Sequence, residues 1–207
     1  MNYNNTTTLV FDLGGVILNL NMERALLEIS GFMGTDPFDL KHAYINHPFL
    51  REFELGLLDK KQFRLKFRKM LRADLEDKHL DELWNLMLAD IPDERIQWIK
   101  DLRNRYQVVL LSNTNELHIE AVNNILSNKS LSLEVLFDKV YYSFAIHERK
   151  PEKEAFEYVL NDLGISPKKA VMFDDDAHNI DTAASLGMHY VHVPHNDLSQ
   201  SMLPNGK

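Results

Sequence analysis

Four short apolar runs punctuate the chain, and each stops abruptly at polar or turn residues. Leu9-Val10-Phe11 ends at Asp12 and then Gly14-Gly15. Val108–Leu111 ends at Ser112-Asn113-Thr114, and Ala170–Phe173 at Asp174-Asp175-Asp176. Tyr190–Val193 ends at Pro194. Runs of this length, bounded by turn residues, predict strands buried on both faces. Phe137–Phe144 is a more ambiguous fifth strand. Between these runs the apolar spacing is helical. Glu94–Arg105 carries Ile96, Ile99 and Leu102, and Glu116–Leu126 carries Ile119, Val122 and Ile125. Glu152–Leu163 carries Phe156, Val159, Leu160 and Leu163. Asn179–Leu186 is a further helix, stopped by Gly187. Strands alternating with helices predict an α/β fold, a Rossmann-like parallel sheet wrapped by helices on both faces.

Residues 18–91 break that rhythm. No strand pattern is found there, whereas Met22–Phe32, Asp59–Leu71 and Glu76–Leu88 each show helix-spaced apolar residues. Asp36-Pro37 opens another helix, since proline is tolerated in a first turn. Some 70 residues of helix between the first strand and its partners read as an inserted helical-bundle cap; the plain alternative is that they are layers of one domain. The expected division is a core of residues 1–17 and 93–207 with a cap of 18–92, the proline at Ile91-Pro92-Asp93 marking the boundary.

Composition narrows the function classes. The chain has 207 residues, 44% hydrophobic and 26% charged, ordinary values for a soluble globular protein. It contains no cysteine, which excludes disulfides, thiolate metal sites and cysteine nucleophiles. A net charge of −8 disfavours nucleic acid and anionic membranes as partners. Met1–Thr8 lacks a signal pattern, and no aliphatic run approaches the ~20 residues of a membrane span. A soluble, cytoplasmic protein is expected.

In open α/β sheets ligands bind beyond the carboxyl ends of the strands. Asp12, Ser112-Asn113 and Asp174-Asp175 all fall at such ends, and Lys150 precedes Pro151 at a helix entry. Carboxylates gathered there repel one another and a phosphate unless a divalent cation lies between them, and Mg²⁺ suits hard oxygen ligands. The chemistry suggested is phosphoryl transfer with Asp12 as nucleophile. The Gly14-Gly15 turn lets backbone N–H groups approach phosphate closely, Ser112 and Asn113 add donors before a helix, and Lys150 offsets charge. Singly, each has a structural reading: a turn aspartate, a helix cap, a surface lysine, a capping acidic triplet. The conjunction in order, each member at a strand end or helix entry, favours the functional one.

These segments resemble the four motifs of the haloacid dehalogenase superfamily: Phe11-Asp12-Leu13-Gly14-Gly15-Val16, Leu111-Ser112-Asn113-Thr114, Lys150-Pro151, and Phe173-Asp174-Asp175 with Asn179 downstream. The helical insertion is similar to that superfamily's C1 cap. In detail the motifs look most like the branch of small sugar phosphatases that includes α-D-glucose-1-phosphate phosphatases. The resemblance implies a Mg²⁺-dependent phosphatase acting on a small phosphorylated metabolite, such as a sugar 1-phosphate, through an aspartyl phosphate. It makes Asp12 the phosphoryl acceptor and a metal ligand, with the carbonyl of Gly14 and the carboxylate of Asp175 as further ligands. Asp174 helps directly or through water. Leu13, Gly14, Ser112, Asn113 and Lys150 hold the phosphate. One departure stands out: most phosphatases of the superfamily carry an aspartate at position 14 as general acid/base, and general acid–base help is typically worth ~10²–10⁴-fold. Its absence favours a leaving group that tolerates negative charge, unless an acid from the cap takes its place. It also keeps open a ligand-binding or regulatory relative that barely turns over. A metal-independent 2-haloacid dehalogenase is the other alternative, disfavoured by the Asp174-Asp175 pair.

Other residues tempt less. His189, His192 and His195 fit scattered histidines better than a zinc site. The basic run from Lys60 to Arg72 reads as a solvated helix face, and Trp84 and Trp98 as packing residues. Arg51, Glu54 and Gly56 fall between cap helices and are candidates to face the substrate.

Overall fold

The computed structural model describes residues 5–39 and 47–204. Five strands form one parallel sheet: β1 (Thr8–Phe11), β2 (Gln107–Ser112), β3 (Lys139–Tyr142), β4 (Ala170–Asp174) and β5 (His189–His192), in the order β3-β2-β1-β4-β5. The first strand is therefore central, and all four of its residues are buried, as its unbroken apolar run requires. Phe11 is in register with Leu110 on one side and Phe173 on the other. The residues that follow the three central strands consequently emerge side by side at one edge of the sheet.

Helices cover both faces. One apolar layer joins Leu9 and Phe11 to Ile96 and Ile99 of α5 (Asp93–Leu102) and Ile119 and Val122 of α6 (Glu116–Ser127). The other joins Val10, Val109 and Met172 to Phe156 and Val159 of α9 (Lys153–Leu163) and Ala183 of α10 (Ala177–Ser185). The expected strand over Phe137–Phe144 is shorter than its pattern, because Ser143 starts the one-turn helix α8 (Ser143–Ile146); the short helix α7 (Leu133–Leu136) precedes it.

The insertion after β1 is helical. It comprises α1 (Met22–Met33), α2 (Pro48–Glu54), α3 (Lys60–Leu71) and α4 (Asp77–Trp84), followed by a 3₁₀ turn over Asn85–Met87. Its interior is aromatic: the Phe63 ring stacks on Phe53 at 4.2 Å and lies 4.8 Å from that of Trp84. A capping box closes the start of α3, with Asp59 and Gln62 exchanging side-chain and backbone bonds. The helix expected at Asp36-Pro37 is present over residues 37–39, and the rest of that expectation lies outside the described residues. Helix α2 is an element the periodicity did not predict.

The two crossings between core and insertion run together as a short antiparallel ribbon. Asn19 N–H donates to the Asp90 carbonyl at 2.9 Å, and Ala89 N–H returns to the Asn19 carbonyl at 3.0 Å. Among the described residues no helix is long and apolar enough to cross a membrane.

Candidate active site

Lys150 is the centre of the polar edge. It is 1% exposed, and its Nζ lies 2.8 Å from Asp12 Oδ1 and 2.6 Å from Asp174 Oδ2. Burial works against its charge, but the two carboxylates outweigh that and hold the ammonium above its ordinary range. Asp12 is the mirror case. Burial pushes its carboxyl up to about 7, with Asp174 and Asp175 adding to the rise and Lys150 opposing it.

Asp12, Asp174 and Asp175 each offer a carboxylate oxygen within 4.8 Å of the others. Three carboxylates against one lysine leave an excess of negative charge, and hard oxygen donors at this spacing fit Mg²⁺. Asp174 is the most fully engaged. Its Oδ1 accepts from the Asp176 N–H and from Asn179 Nδ2, both at 2.9 Å, while Oδ2 faces Lys150. Asp12 and Asp175 are more open, at 14% and 18% exposure. Asp176 points away and caps α10 through the His178 N–H.

The turn after β1 is built for close approach. Ile17 and Leu18 N–H both donate to the Leu13 carbonyl and Gly15 N–H to the Leu18 carbonyl, so the turn's bonds use neither the Leu13 nor the Gly14 N–H. Gly15 sits at φ +74°, where a Cβ would lie 2.2 Å from Asp175 Oδ2 and 2.6 Å from His195 Nδ1. A Cβ at Gly14 would lie 2.8 Å from Leu20 Cδ1. Leu20 thus fills the space beside position 14.

The sequence reading missed what holds this turn. His195 Nδ1 meets Asp175 Oδ2, and His192 Nε2 donates to the Asp175 carbonyl at 3.0 Å. Two of the three histidines are therefore not scattered but converge on one residue of the site. The next residue, Asn196, donates its backbone N–H to the Gly15 carbonyl at 2.7 Å. Its side chain also bonds both the N–H and the carbonyl of Leu20, each at 2.8 Å. Buried Arg95 donates to the Asn196 carbonyl at 2.6 Å and to Asn19 Oδ1 at 2.9 Å. The only sequence signal for this network was three histidines at a strand end.

Ser112 is buried at the end of β2. The Asn113 amide faces the Lys150 main chain: Nδ2 donates to its carbonyl at 2.7 Å and Oδ1 accepts its N–H at 2.9 Å. Motifs two and three are thereby bound together, and Lys150 is aimed from a fixed backbone.

A cavity of about 490 Å³ opens between this edge and the helical cap, reaching Leu13, Gly14, Ser112 and Asn113 at one end. The cap contributes Leu20, Met22, Leu50 and Met87, together with Arg51, Glu54 and Trp84. Gly56 is not among the lining residues; at φ +68° its Cα faces the Phe144 carbonyl, 2.2 Å from where a Cβ would be. Trp84 packs in the cap interior and stacks on His118 at 4.9 Å. Much of the basic face of α3 is paired, Arg64 with Asp81 and Asp77, Arg68 with Asp77, Lys60 with Glu120 and Lys66 with Glu52.

Residues 6–187 match the family of haloacid dehalogenase-like hydrolases. A protein named D-ribitol-5-phosphate phosphatase from Bacteroides thetaiotaomicron is 27% identical over 180 residues, covering 86% of this chain and 87% of its own length. A haloacid dehalogenase family enzyme from the same organism, solved in complex with magnesium and inorganic phosphate, superposes with a TM-score of 0.87 at 31% identity, covering 96% of this chain and all of that one. A haloacid dehalogenase-like hydrolase from Porphyromonas gingivalis gives 0.83 at 27% identity, over 93% and 92% of the two chains.

Proposed function

The chain belongs to the haloacid dehalogenase-like hydrolases, and from that premise we propose that it is a Mg²⁺-dependent phosphatase acting on a small sugar or polyol phosphate through an aspartyl phosphate on Asp12. The observation that carries this reading is the buried Lys150, bridging Asp12 and Asp174 beside a third carboxylate, next to the strand-end residues Leu13, Gly14, Ser112 and Asn113 that line the cavity. A dehalogenase needs one carboxylate nucleophile; a metal-free site has little reason to gather Asp174 and Asp175 beside it.

Asp12 and Asp175 would hold the metal, with the Gly14 carbonyl; Asp174 contributes from behind, since both of its oxygens are already engaged. Bound there, Mg²⁺ neutralises the excess carboxylate charge and orients the phosphoryl group for in-line attack. The protein does the rest. Lys150, held by two carboxylates and by the Asn113 amide, presents a fixed cation to the phosphate. The N–H groups of Leu13 and Gly14 and the Ser112 hydroxyl offer donors around it. His195 and His192 hold Asp175 in place from the turn after β5.

The substrate class rests on the cavity. Its volume suits a small metabolite, and its mixture of apolar cap residues with Arg51, Glu54 and Arg149 suits a short hydroxylated carbon chain rather than a polymer. Core residues 1–17 and 93–207 then hold the phosphoryl group, and cap residues 18–92 read the leaving group. A screen of sugar, polyol and nucleoside monophosphates, with and without Mg²⁺, tests the reading. Metal-dependent phosphate release strongest with short sugar or polyol phosphates is expected. No release from any monophosphate at saturating Mg²⁺ would overturn it.

A further inference from the structure

We propose that Glu54, carried on the cap helix α2, is the catalytic proton donor and acceptor of this reaction, doing from the cap what position 14 cannot do from the core. The proposal rests on the phosphatase reading above. In the first half-reaction an Asp12 oxygen bonds to phosphorus as the bond to the leaving oxygen breaks, and the proton of Glu54 passes to that oxygen. In the second, water bonds to phosphorus as the Asp12–phosphorus bond breaks, and a water proton returns to the Glu54 carboxylate. Inorganic phosphate leaves, and both carboxyl groups are restored.

Three observations carry it. First, the usual place for the acid is closed as well as vacant. Gly14 has no side chain, and Leu20 occupies the adjoining space, 2.8 Å from where a Cβ would stand. Leu20 cannot readily retreat, because Asn196 grips its main chain on both sides. Second, elimination among the described residues lining the cavity leaves one group. Arg51 and Arg149 do not give up protons. His118 is neutral: its ring stacks on Trp84, its Nδ1 bonds Asn85 at 2.8 Å, and burial holds it down to about 3. Glu54 is the one carboxyl on the cavity wall. Third, its surroundings suit the task. Burial pushes the Glu54 carboxyl above the usual carboxylate range, against the pull of Arg149 and Arg51, which is the direction a general acid needs near neutral pH. Arg149 lies 3.1 Å from its carboxylate, and Arg51 is itself drawn off by Glu152 at 2.5 Å.

The cap delivers Glu54 to the core by a seam of its own. His147 bonds the Leu55 carbonyl at 2.8 Å, directly beside the Glu54–Arg149 and Arg51–Glu152 pairs. Gly56 permits the approach, since any side chain there would strike the Phe144 carbonyl. The acid is in place only while the cap is seated.

The test is single-turnover phosphoenzyme formation by wild type and Glu54→Gln over aryl and alkyl phosphates of graded leaving-group pKa. Wild type should show a shallow dependence. The variant should show a steep one, losing about 10²-fold or more with alkyl phosphates and less than about threefold with the best aryl leaving groups, with KM little changed. His147→Gly, which removes the seam bond to the Leu55 carbonyl and tolerates the left-handed backbone there, controls for seating of the cap: a seam defect slows every leaving group by one factor. A Glu54→Gln rate that falls by one factor across the series would overturn the proposal. Wild type forming no phosphoenzyme with any substrate would instead overturn the underlying phosphatase reading, and the proposal with it.

Discussion

Acidification should remove the stability that His118 contributes, and the size of the effect follows from its burial. The ring lies on α6 of the core, 9% exposed, stacked on Trp84 and bonded to Asn85 of the cap. Burial holds its pKa down to about 3, against 6.5 for an exposed imidazole. Between those two values the unfolded chain binds a proton that the folded ring does not. Stability is therefore full above pH 6.5 and falls as the pH drops toward 3. At pH 5 the loss from this one group is about 2 kcal/mol, from roughly 1.5 pH units below the unfolded pKa at 1.36 kcal/mol each. Asp12 and Glu54 shift in the opposite sense, Asp12 by a comparable amount, and so offset it in the wild type. The comparison is therefore with His118→Phe, which keeps an aromatic ring on Trp84 but has nothing to protonate. Urea denaturation of both proteins at pH 7.5 and pH 5.0 should show the wild type losing about 2 kcal/mol more than the variant. A stability difference that stays constant between the two pH values would refute the reasoning.

Asp175→Ala should weaken Mg²⁺ binding by calorimetry at least tenfold, because it removes an open carboxylate; Asp176→Ala should leave Mg²⁺ affinity unchanged and cost about 1 kcal/mol of stability, the worth of a helix cap. Equal Mg²⁺ losses in the two would mean that the roles of the acidic triplet are misassigned. Gly15→Ala should lower stability by ~1–3 kcal/mol in thermal melts and weaken Mg²⁺ binding, since the new methyl group meets Asp175 and His195 at a backbone angle that disfavours it; a wild-type melt would contradict the close approach. Asn196, at φ +62°, allows a cleaner cut. Asn196→Gly keeps the backbone and its bond to Gly15 but frees Leu20, so a fall in phosphoenzyme formation with little loss of thermal stability is expected.

How much of this was legible in the chain depends on the range of the contact. The strands were, because a run buried on both faces must be apolar throughout, and Asp12, Ser112 and Asp174 mark where each run ends at the polar edge of the sheet. Lys150 was legible as a cation at a helix entry but not as a buried one, since burial depends on the two carboxylates brought to it from residues 12 and 174. Helix α2 was not, because the seven residues Pro48–Glu54 show too little periodicity. The bonds from His195 and Asn196 to Asp175, Gly15 and Leu20 span from 20 to 181 positions. They depend on a left-handed turn at Asn196 that no local pattern announces. Leu20 beside Gly14 is similarly a product of the fold: the sequence shows the missing side chain, not what took its place.

The central claim is that the phosphoryl group passes through Asp12, and chemical trapping tests it most directly. A single turnover with a good substrate and Mg²⁺ is quenched in acid, reduced with borohydride and mapped by peptide mass spectrometry. Reduction of an acyl phosphate converts the aspartate that carried it to homoserine. The account predicts homoserine at position 12 in the wild type and at no position in Asp12→Asn, which should also lose turnover while keeping its fold. Homoserine at Asp174 or Asp175, or normal turnover by Asp12→Asn, would contradict it.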